Sequence, residues 1–363
     1  MKHIGKSYDK VDAKGILSGK PSYTGDFVPK DALIIKVLRS PHAQARIKSI
    51  DTSKAKLIPG VEAIFTYEDV PNTRFTLAGQ TYPEPSAYDA LILEPVVRYV
   101  GDEVALVVAK DEATALKAMP LIKVEYEVQK PVLDLRTAMD HETVVHPEDD
   151  ILNHIPVGQD YKRNICVSYH KRVGDIEGEL AKCDYVVEGT YFDQATRQSA
   201  MEPFQSFGYI DHLGRIVIVS STQIVFHVRR HIARALGIPA SKIRVIKPRI
   251  GGGFGSKQTA CTELMTAFVT WKLQKPCYLL YDRTEAQTCS TTRHAREWYI
   301  RVGATKDGII QVIDMDSITD AGAHATHCFT TTTAGEHKSV PLYNKAKAVH
   351  YGTEGVYMNH TPG

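Results

Sequence analysis

Short apolar runs separated by polar turns fill the first third of the chain, a pattern typical of a small α+β unit. Residues 33–38 are apolar except for Lys36, and residues 45–50 alternate apolar and polar positions as a half-buried strand does. Asp111 precedes a helical pattern at the N-cap position, where its carboxylate can accept a backbone N–H. The pattern predicts strands at 33–38, 45–50, 61–65, 96–99, 103–109 and 122–127, and helices at 52–56 and 112–119.

Two other stretches show no apolar periodicity. Residues 71–89 are rich in Pro, Gly, Gln, Thr and Tyr, and we predict a surface loop there. Residues 131–165 carry acidic residues, prolines and three histidines whose spacing matches no helix or strand face. We therefore interpret residues 131–165 as a linker with exposed histidines rather than metal ligands. These histidines are His141, His146 and His154.

The linker divides the chain into a first domain at residues 1–130 and a second domain at residues 166–363. Turns at His212-Leu213-Gly214 and Asp307-Gly308 connect strand patterns into hairpins. Hairpins combined with helices predict an α+β fold. The predicted strands of the second domain are 167–173, 184–191, 206–211, 215–220, 243–246, 278–281, 298–304 and 309–319, and its predicted helices are 175–182, 222–236 and about 256–273.

The helix predicted at 222–236 has one apolar face. Val228 and Ile232 lie at helical spacing on that face, and Gly237 ends the pattern. We predict that the arginines of this helix lie on the opposite face, in solvent. They are Arg229, Arg230 and Arg234.

Composition and charge narrow the functional class. Apolar residues make up 43% and charged residues 24%, as in ordinary soluble globular proteins. The net charge of +2 shows no basic excess, so we expect no nucleic-acid partner. No apolar run approaches the roughly 20 residues of a membrane span, so no membrane partner is expected. Six cysteines without paired spacing favour buried thiols in a reducing compartment, and hence a cytoplasmic protein.

Residues 248–258 carry the strongest chemical signal, the sequence Pro-Arg-Ile-Gly-Gly-Gly-Phe-Gly-Ser-Lys-Gln. The stretch follows a strand pattern and precedes a helical one, so its N–H groups would lie at the positive end of a helix dipole. A tight turn without a ligand would need one glycine. Four glycines around one phenylalanine favour close approach of a ligand to the backbone.

This loop fits neither common phosphate-binding motif. A P-loop requires a glycine at the position of Ser256 and a serine or threonine at the position of Gln258. A dinucleotide fingerprint requires a third glycine at the position of Ser256 and an acidic residue further on. What remains is a nest of backbone donors beside an aromatic side chain. Such a nest suits an oxyanion, a metal-oxo group or the sulfur-rich edge of a large cofactor.

The loop resembles the Gly-Gly-Gly-Phe-Gly-Gly-Lys loop of the xanthine dehydrogenase/aldehyde oxidase family of molybdenum hydroxylases. Ser221-Thr222-Gln223, before a helix ending in Leu-Gly-Ile-Pro, and Met201-Glu202-Pro203 are similar to family segments in the same chain order. Residues 98–105, Arg-Tyr-Val-Gly-Asp-Glu-Val-Ala, resemble a motif of the family's N-terminal hammerhead domain. The resemblance covers nearly the whole chain. It implies an α/β hammerhead domain followed by the first part of a molybdopterin-binding α+β domain.

The family implies a molybdopterin cofactor, often extended to a cytosine dinucleotide. Its molybdenum centre oxidises an electron-poor carbon with oxygen derived from water, and the electrons leave through [2Fe-2S] clusters, usually to FAD. This chain has no clustered cysteines and no flavin fingerprint. The resemblance therefore implies a hetero-oligomer in which an iron–sulfur subunit and an FAD subunit carry those groups.

The resemblance also implies roles for particular residues. The loop backbone is expected to face the cofactor, with Gln223 as a more distant contact, and Phe254 is expected near molybdenum. A glutamine is also expected near molybdenum, and the spacing leaves Gln194 and Gln198 as equal candidates, either of which could instead bond a neighbouring strand. Glu202 is expected to be a structural carboxylate rather than the catalytic base. The loop residues concerned are Gly252, Gly253, Phe254 and Gly255.

Departures from the family pattern bear on the substrate. Xanthine-oxidising members carry a glutamate where this chain has Gln258, and an arginine in a region matching residues 330–336, which contains none. Gln258 can hydrogen-bond an amide or a ring nitrogen but cannot act as an ionised partner. We therefore expect Gln258 to contact an N-heteroaromatic (purine-like) or aldehyde substrate, and xanthine is disfavoured.

The family pattern continues beyond the segment that matches Gly363. Members go on to an Ala-Phe-Arg-Gly segment, further pterin-binding loops and a catalytic glutamate, so we assign no catalytic residue here. The leading hypothesis is the N-terminal half of a molybdopterin-binding subunit, with an incomplete second domain, active with a C-terminal partner chain. Two alternatives stay open: a non-catalytic module that binds pterin or a nucleotide, and a structurally passive remnant.

Overall fold

The chain adopts the mixed α+β fold that the sequence predicts, as seen in a computed structural model that describes residues 2–363 apart from the side chain of Glu336. Met1, the first residue of the predicted domain 1–130, and the Glu336 side chain, in the region 330–336, lie outside the described residues. The division of the chain at residues 131–165 stays a prediction. None of the helices in residues 2–363 has the length and apolarity needed to cross a membrane.

The elements of the first part agree closely with the sequence pattern. The Asp111 carboxylate accepts the N–H of Thr114 at 2.8 Å, so the predicted helix cap is confirmed. In chain order the elements are α1 (Ala13–Leu17), β1 (Leu33–Arg39), β2 (Ala45–Asp51), α2 (Ser53–Lys56), β3 (Val61–Phe65), β4 (Val96–Val97), β5 (Glu103–Ala109), α3 (Glu112–Ala118) and β6 (Lys123–Val128).

The second part contains the predicted hairpins and helices, together with elements that the pattern did not reveal. They are β7 (Ile165–Val173), α4 (Ile176–Leu180), β8 (Tyr185–Asp193), β9 (Gln205–Ile210), β10 (Ile216–Ser220), α5 (Val225–Leu236), β11 (Ile243–Ile246), α6 (Glu263–Leu273), β12 (Cys277–Leu280), α7 (Arg283–Thr288), β13 (Arg296–Ala304), β14 (Ile310–Gly322), α8 (Cys328–Ser339) and β15 (Ala348–Tyr357).

Helix α6 begins later than predicted. Residues Ser256–Gln258 form one 3-10 turn, and Thr259 returns to extended backbone before the helix starts at Glu263. The prediction of a continuous helix from about 256 was therefore wrong, because the glycine loop is followed by a short irregular segment that pairs with another part of the chain.

One sheet contains strands from both parts of the chain. Its strand order is β11-β10-β9-β12-β1-β5-β3, and β1 runs parallel to β12 with Ile35 opposite Leu279. Both of these side chains are fully buried. Helices α5 and α6 cover one face of the sheet and contribute Val228, Ile232 and Phe268 to its core. The first and second parts therefore share one hydrophobic core.

Two smaller sheets complete the architecture of the described chain. One has the strand order β7-β15-β14-β13-β8, and the other has the order β4-β2-β6. Residues from the predicted linker pack against the first of these sheets. Val132 and Val145 are fully buried there with Tyr357 of β15. The linker is irregular as predicted, but it is a packed part of the core.

The prediction of a surface loop at residues 71–89 was wrong. The segment lacks regular structure, yet Phe75, Ala78 and Tyr88 are buried. Ala78 also forms an isolated antiparallel bridge with Thr259, directly after the glycine loop. The composition of a segment indicates whether its backbone is irregular. Whether the segment is buried depends here on contacts with residues more than 150 positions away in the sequence.

Two further predictions of exposure were also wrong. His146 is fully buried, although His154 is exposed as expected. On α5, Arg230 donates to the carbonyl oxygen of Thr81 at 3.2 Å, and Arg234 donates to that of Arg74 at 2.6 Å. These arginines satisfy backbone carbonyls of the buried segment instead of lying in solvent, because an irregular buried segment needs external partners.

The shared sheet leads to a prediction about cooperativity. Replacing Ile35 with alanine leaves a cavity where the two parts meet, so the free energy of unfolding should fall by about 2–5 kcal/mol. Urea unfolding followed by circular dichroism should show one transition shifted as a whole. Leu57→Ala, at an exposed position, is the control and should change stability by less than about 0.5 kcal/mol. Two separate transitions, with one unaffected by Ile35→Ala, would contradict a shared core.

Candidate functional site

The glycine loop leaves β11 in a conformation that requires its glycines. Gly252 and Gly255 have φ values of 101° and 97°, and Phe254 has a φ of 53°. A Cβ on Gly253 would lie 2.5 Å from the side-chain oxygen of Gln223, so a larger residue there would displace the Gln223 side chain. A Cβ on Gly255 would meet nothing within 4 Å, so that residue faces open space. The loop is shaped by both backbone geometry and close packing.

Two side chains hold the loop in place. The Glu202 carboxylate accepts the N–H of Gly251 at 2.7 Å and the Lys257 ammonium at 3.1 Å. The Gln223 side-chain oxygen accepts the N–H of Gly255 at 3.2 Å. Burial lowers the pKa of Lys257, and the charge of Glu202 opposes that shift. Glu202 and Gln223 therefore support the loop from behind, on the side away from open space.

In front of the loop lies a cavity of about 660 Å³. Phe254 projects towards it with 74% of its surface exposed. The cavity brings together most residues that the sequence predicted for the site. These are Gln194, Gln198, Phe254, Gly255 and Gln258. Gly252 and Gly253 lie behind Phe254, against Ala200 and Gln223, rather than on the cavity wall.

The two candidate glutamines differ in their surroundings. Gln198 is half-buried, and its side-chain oxygen is buried without a hydrogen-bond partner. Gln194 is exposed at the end of β8. An unpartnered buried oxygen is costly and marks a position where a ligand group can bind. The geometry therefore distinguishes two residues that the sequence left equal.

Two histidines on the cavity wall were missed by the sequence analysis. His327, at the start of α8, donates its Nε2–H to the backbone oxygen of Gln258 at 3.1 Å, and His294 donates its Nδ1–H to that of Asp320 at 2.8 Å. The other ring nitrogen of each is buried without a partner. Burial lowers the pKa of His327 to about 4 and also lowers the pKa of His294. Both rings therefore present an unprotonated nitrogen at neutral pH.

Arginines reach the cavity from a part of the chain where none was expected. Arg293 and Arg296, at the start of β13, line the cavity, whereas Thr331 is the contribution from residues 330–336. The Arg296 guanidinium lies 4.6 Å above the Trp298 ring. The Trp298 ring N–H donates to Asp193 at 3.0 Å. No local motif signals these residues, because strand pairing alone brings β8 and β13 together.

Matches to family models cover most of the chain. Residues 18–130 match the aldehyde oxidase and xanthine dehydrogenase a/b hammerhead domain. Residues 157–363 match the molybdopterin cofactor-binding domain. The glycine loop and all the cavity residues named above fall in the second match.

Individual relatives give the same result. The chain is 38% identical to the probable hypoxanthine oxidase XdhD of Escherichia coli (strain K12) over 94% of the chain and 38% of that protein. It is 31% identical to the nicotinate dehydrogenase large molybdopterin subunit of Eubacterium barkeri over 89% of the chain and 72% of that protein. Quinoline 2-oxidoreductase from Pseudomonas putida 86 superimposes with a TM-score of 0.85 and 27% identity, over 99% of the chain and 45% of that structure.

The chain thus spans 38% of the length of the Escherichia coli relative. Its two family matches follow each other in the order that the sequence motifs predicted. The match of residues 157–363 alone covers more than half of the chain. The chain belongs to the xanthine dehydrogenase/aldehyde oxidase family of molybdenum hydroxylases.

Proposed function

We propose that this chain is the molybdopterin-binding part of a molybdenum hydroxylase that oxidises an N-heteroaromatic, purine-like substrate, or an aldehyde, with oxygen derived from water. The observation that carries the proposal is the single cavity on which Gln198, Phe254 and Gln258 converge in front of the braced glycine loop. Such a convergence of polar groups in a large concave site is typical of a cofactor and substrate pocket.

The residues of this cavity fit a molybdopterin group. The glycine loop leaves open space in front of Gly255, on the wall of the cavity. The oxygen of Gln198 and the free ring nitrogens of His294 and His327 are buried without partners. When bound, molybdopterin, alone or as its cytosine dinucleotide, supplies the metal centre that accepts the electrons of the substrate. This chain supplies the shape and the fixed hydrogen-bonding groups around that centre.

Each loop residue has a distinct proposed task. Gly252 and Gly253 allow the backbone to pass close to Ala200 and Gln223. Gly255 leaves room for the cofactor in front of the loop, while its own N–H is donated to Gln223, and Phe254 forms an apolar wall that limits access of water. Gln198 is the better of the two glutamines for a contact near molybdenum, since its side-chain oxygen is buried and unpartnered.

The substrate contacts are proposed to be neutral hydrogen bonds. Gln258 offers both an amide donor and an amide acceptor, and it lies beside the neutral ring of His327. This pair matches the alternating donors and acceptors of a purine-like ring. Arg293 and Arg296 add positive charge at another part of the wall, where a carboxylate or the phosphates of the cofactor would bind.

The general base is proposed to come from a partner. Among the described residues that line the cavity, Asp193 is the carboxylate, and it is held by Trp298. We propose that a C-terminal chain or segment completes the site and provides the catalytic glutamate. An iron–sulfur subunit and an FAD subunit would then carry the electrons away. The assembly is proposed to work in the cytoplasm.

Reconstitution tests this proposal. The chain should be produced alone and together with a C-terminal molybdopterin-binding partner, and both samples assayed for molybdenum and substrate-dependent dye reduction. We expect activity only from the combination, because the proposed base lies on the partner. Full activity of the chain alone would contradict the proposed division. Bound nucleotide without molybdenum in the assembled sample would favour a non-catalytic binding module.

The choice between the two glutamines can be tested in the assembled enzyme. Gln198→Leu should lower kcat by about 10²–10³-fold, the loss typical for one oriented polar contact at a reacting centre. Gln194→Leu is the matched control and should lower kcat by less than about threefold, since Gln194 is exposed. Molybdenum content and melting temperature should be measured for both variants. The reverse order of the two effects would show that Gln194 is the residue near the metal.

The low pKa of His327 predicts a pH effect on stability. The pKa of His327 is about 4 in the folded state, so the unfolded chain takes up the proton at a higher pH than the folded chain does. The contribution of His327 to the free energy of unfolding is therefore complete above about pH 6.5 and is lost as the pH falls towards 4. Between pH 7 and pH 4 this group should remove roughly 3 kcal/mol from the free energy of unfolding.

His327→Gln keeps a donor towards the Gln258 carbonyl and does not titrate. Its free energy of unfolding should therefore fall less steeply with decreasing pH than that of the native chain, as measured by urea unfolding at each pH. His212→Gln, in an exposed turn, is the control and should follow the native slope. If the free energy of unfolding depends on pH equally for the native chain and for His327→Gln, then His327 is not held as a neutral, buried ring.

A further inference from the structure

A second polar cluster lies in the interior, where three distant segments of the chain meet. Asp89 comes from the buried segment 71–89, His146 from the predicted linker, and His324 from the residues that follow β14. Their side chains are almost completely buried, with 1%, 0% and 7% of their surface exposed. One oxygen of Asp89 and one ring nitrogen of each histidine all lie within 4.8 Å of one another.

The inner atoms of this cluster have no hydrogen-bond partner. They are Asp89 Oδ1, His146 Nδ1, His324 Nδ1 and the Oε2 atom of Glu148, which lies 3.5 Å from His146 Nδ1. A single unpaired buried polar atom costs on the order of 1–3 kcal/mol. Three of these atoms, on Asp89, His146 and His324, lie within 4.8 Å of one another, which indicates that a binding group belongs between them.

The outer atoms of the same side chains are well held. Asp89 Oδ2 accepts the N–H of Ala325 at 2.7 Å and the hydroxyl of Tyr357 at 2.9 Å. Glu148 Oε1 accepts from Arg98 at 2.5 Å. His146 Nε2 donates to the carbonyl oxygen of Ala323 at 2.7 Å. Outer contacts of this kind orient metal ligands and leave their inner atoms free.

The hydrogen bond of His146 strengthens the argument. Its Nε2 donates to the carbonyl oxygen of Ala323, so in the neutral ring Nδ1 presents its lone pair towards Glu148 Oε2 at 3.5 Å. Two lone pairs at this distance repel each other. A metal cation bound at Nδ1 would remove that repulsion.

The distances allow these side chains to share a metal ion. His324 Nδ1 lies 3.4 Å from Asp89 Oδ1, and ligands placed about 2.1 Å from a tetrahedral zinc ion are about 3.4 Å apart. We propose that Asp89, His146 and His324 bind one structural divalent cation, zinc by preference. Two imidazoles and a carboxylate are ligands that zinc accepts, and Glu148, whose Oε2 atom lies 3.5 Å from His146 Nδ1, adds a second negative charge beside the site.

A neighbouring cluster helps to define what makes this site distinctive. Glu84, His227 and His231 also lie close together. There, however, Arg230 already donates to Glu84 at 3.1 Å and to His227 at 2.7 Å. The Arg230 guanidinium therefore already supplies a positive charge to two of the three side chains. At the proposed zinc site Arg98 bonds the outer oxygen of Glu148 instead and leaves the centre free.

The proposed site would fasten the wall of the functional cavity. His324 lies three residues before His327, which lines that cavity. Asp89 closes the segment that pairs with Thr259 beside the glycine loop. A zinc ion would therefore join the first part of the chain, the predicted linker and the cavity wall at one point.

The test is a metal count on the protein purified with whatever chains accompany it, in buffers without chelator. Zinc should be measured by mass spectrometry separately from molybdenum and iron, and we expect about one zinc per chain. His146→Gln keeps a donor towards the Ala323 carbonyl but removes the Nδ1 ligand. The zinc content of this variant should be at least about tenfold lower than that of the native protein. His154→Gln, an exposed histidine of the same segment, should keep it.

A second measurement on the native protein covers the case in which His146→Gln does not fold. After removal of zinc with a chelator, addition of Co²⁺ alone should produce the intense visible bands of a four-coordinate site, and Zn²⁺ should abolish them. A native protein that holds less than about 0.1 zinc per chain, both as purified and after incubation with Zn²⁺, would overturn the proposal. Retention of zinc by folded His146→Gln would overturn it equally.

Discussion

The parallel pairing of β1 with β12 is the constraint on which the rest of the structure depends. It joins a strand near the beginning of the chain to one about 240 residues later, and its buried contact between Ile35 and Leu279 lies inside a core shared by both parts. Residues 71–89, from the same first part, pack against α5 and against Thr259 beside the glycine loop. Gly79 is the visible consequence, since a Cβ there would lie 2.3 Å from the Gln258 backbone oxygen. The position of a cavity residue is thus fixed by the first part of the chain.

Burial of so much irregular backbone is stabilised by charged side chains rather than by secondary structure. Arg98 is almost fully buried and bonds Glu94, Glu148 and two backbone oxygens. Arg230 and Arg234 serve the segment 71–89 in the same way. A guanidinium suits this task because its several donors can satisfy a carboxylate and a carbonyl at once. The inner atoms around His146 have no partner of this kind, which indicates that a further group binds between them.

The sequence predicted most of what depends on local pattern and little of what depends on distant contacts. The strands and the Asp111 cap follow from periodicity and hydrogen bonding within a few residues, and the cavity did collect Gln194, Gln198, Phe254, Gly255 and Gln258. Periodicity could not show that His146 is buried or that Arg296 reaches the cavity, because both facts arise from strand pairing and packing between remote segments. Periodicity also could not distinguish Gln198 from Gln194, because their positions in the sequence do not reveal which side chain has a hydrogen-bond partner.

The proposed division of the site between two chains is consistent with how this part is built. The glycine loop is held by Glu202 at one end and by Gln223 at the other, so its conformation is fixed before a charged group binds. Burial lowers the pKa of both cavity histidines, and bonds to backbone oxygens fix their rings. A ring with a lowered pKa is a weaker base than an ordinary histidine. The proposed division therefore assigns orientation of the bound groups to this chain and removal of the proton to its partner.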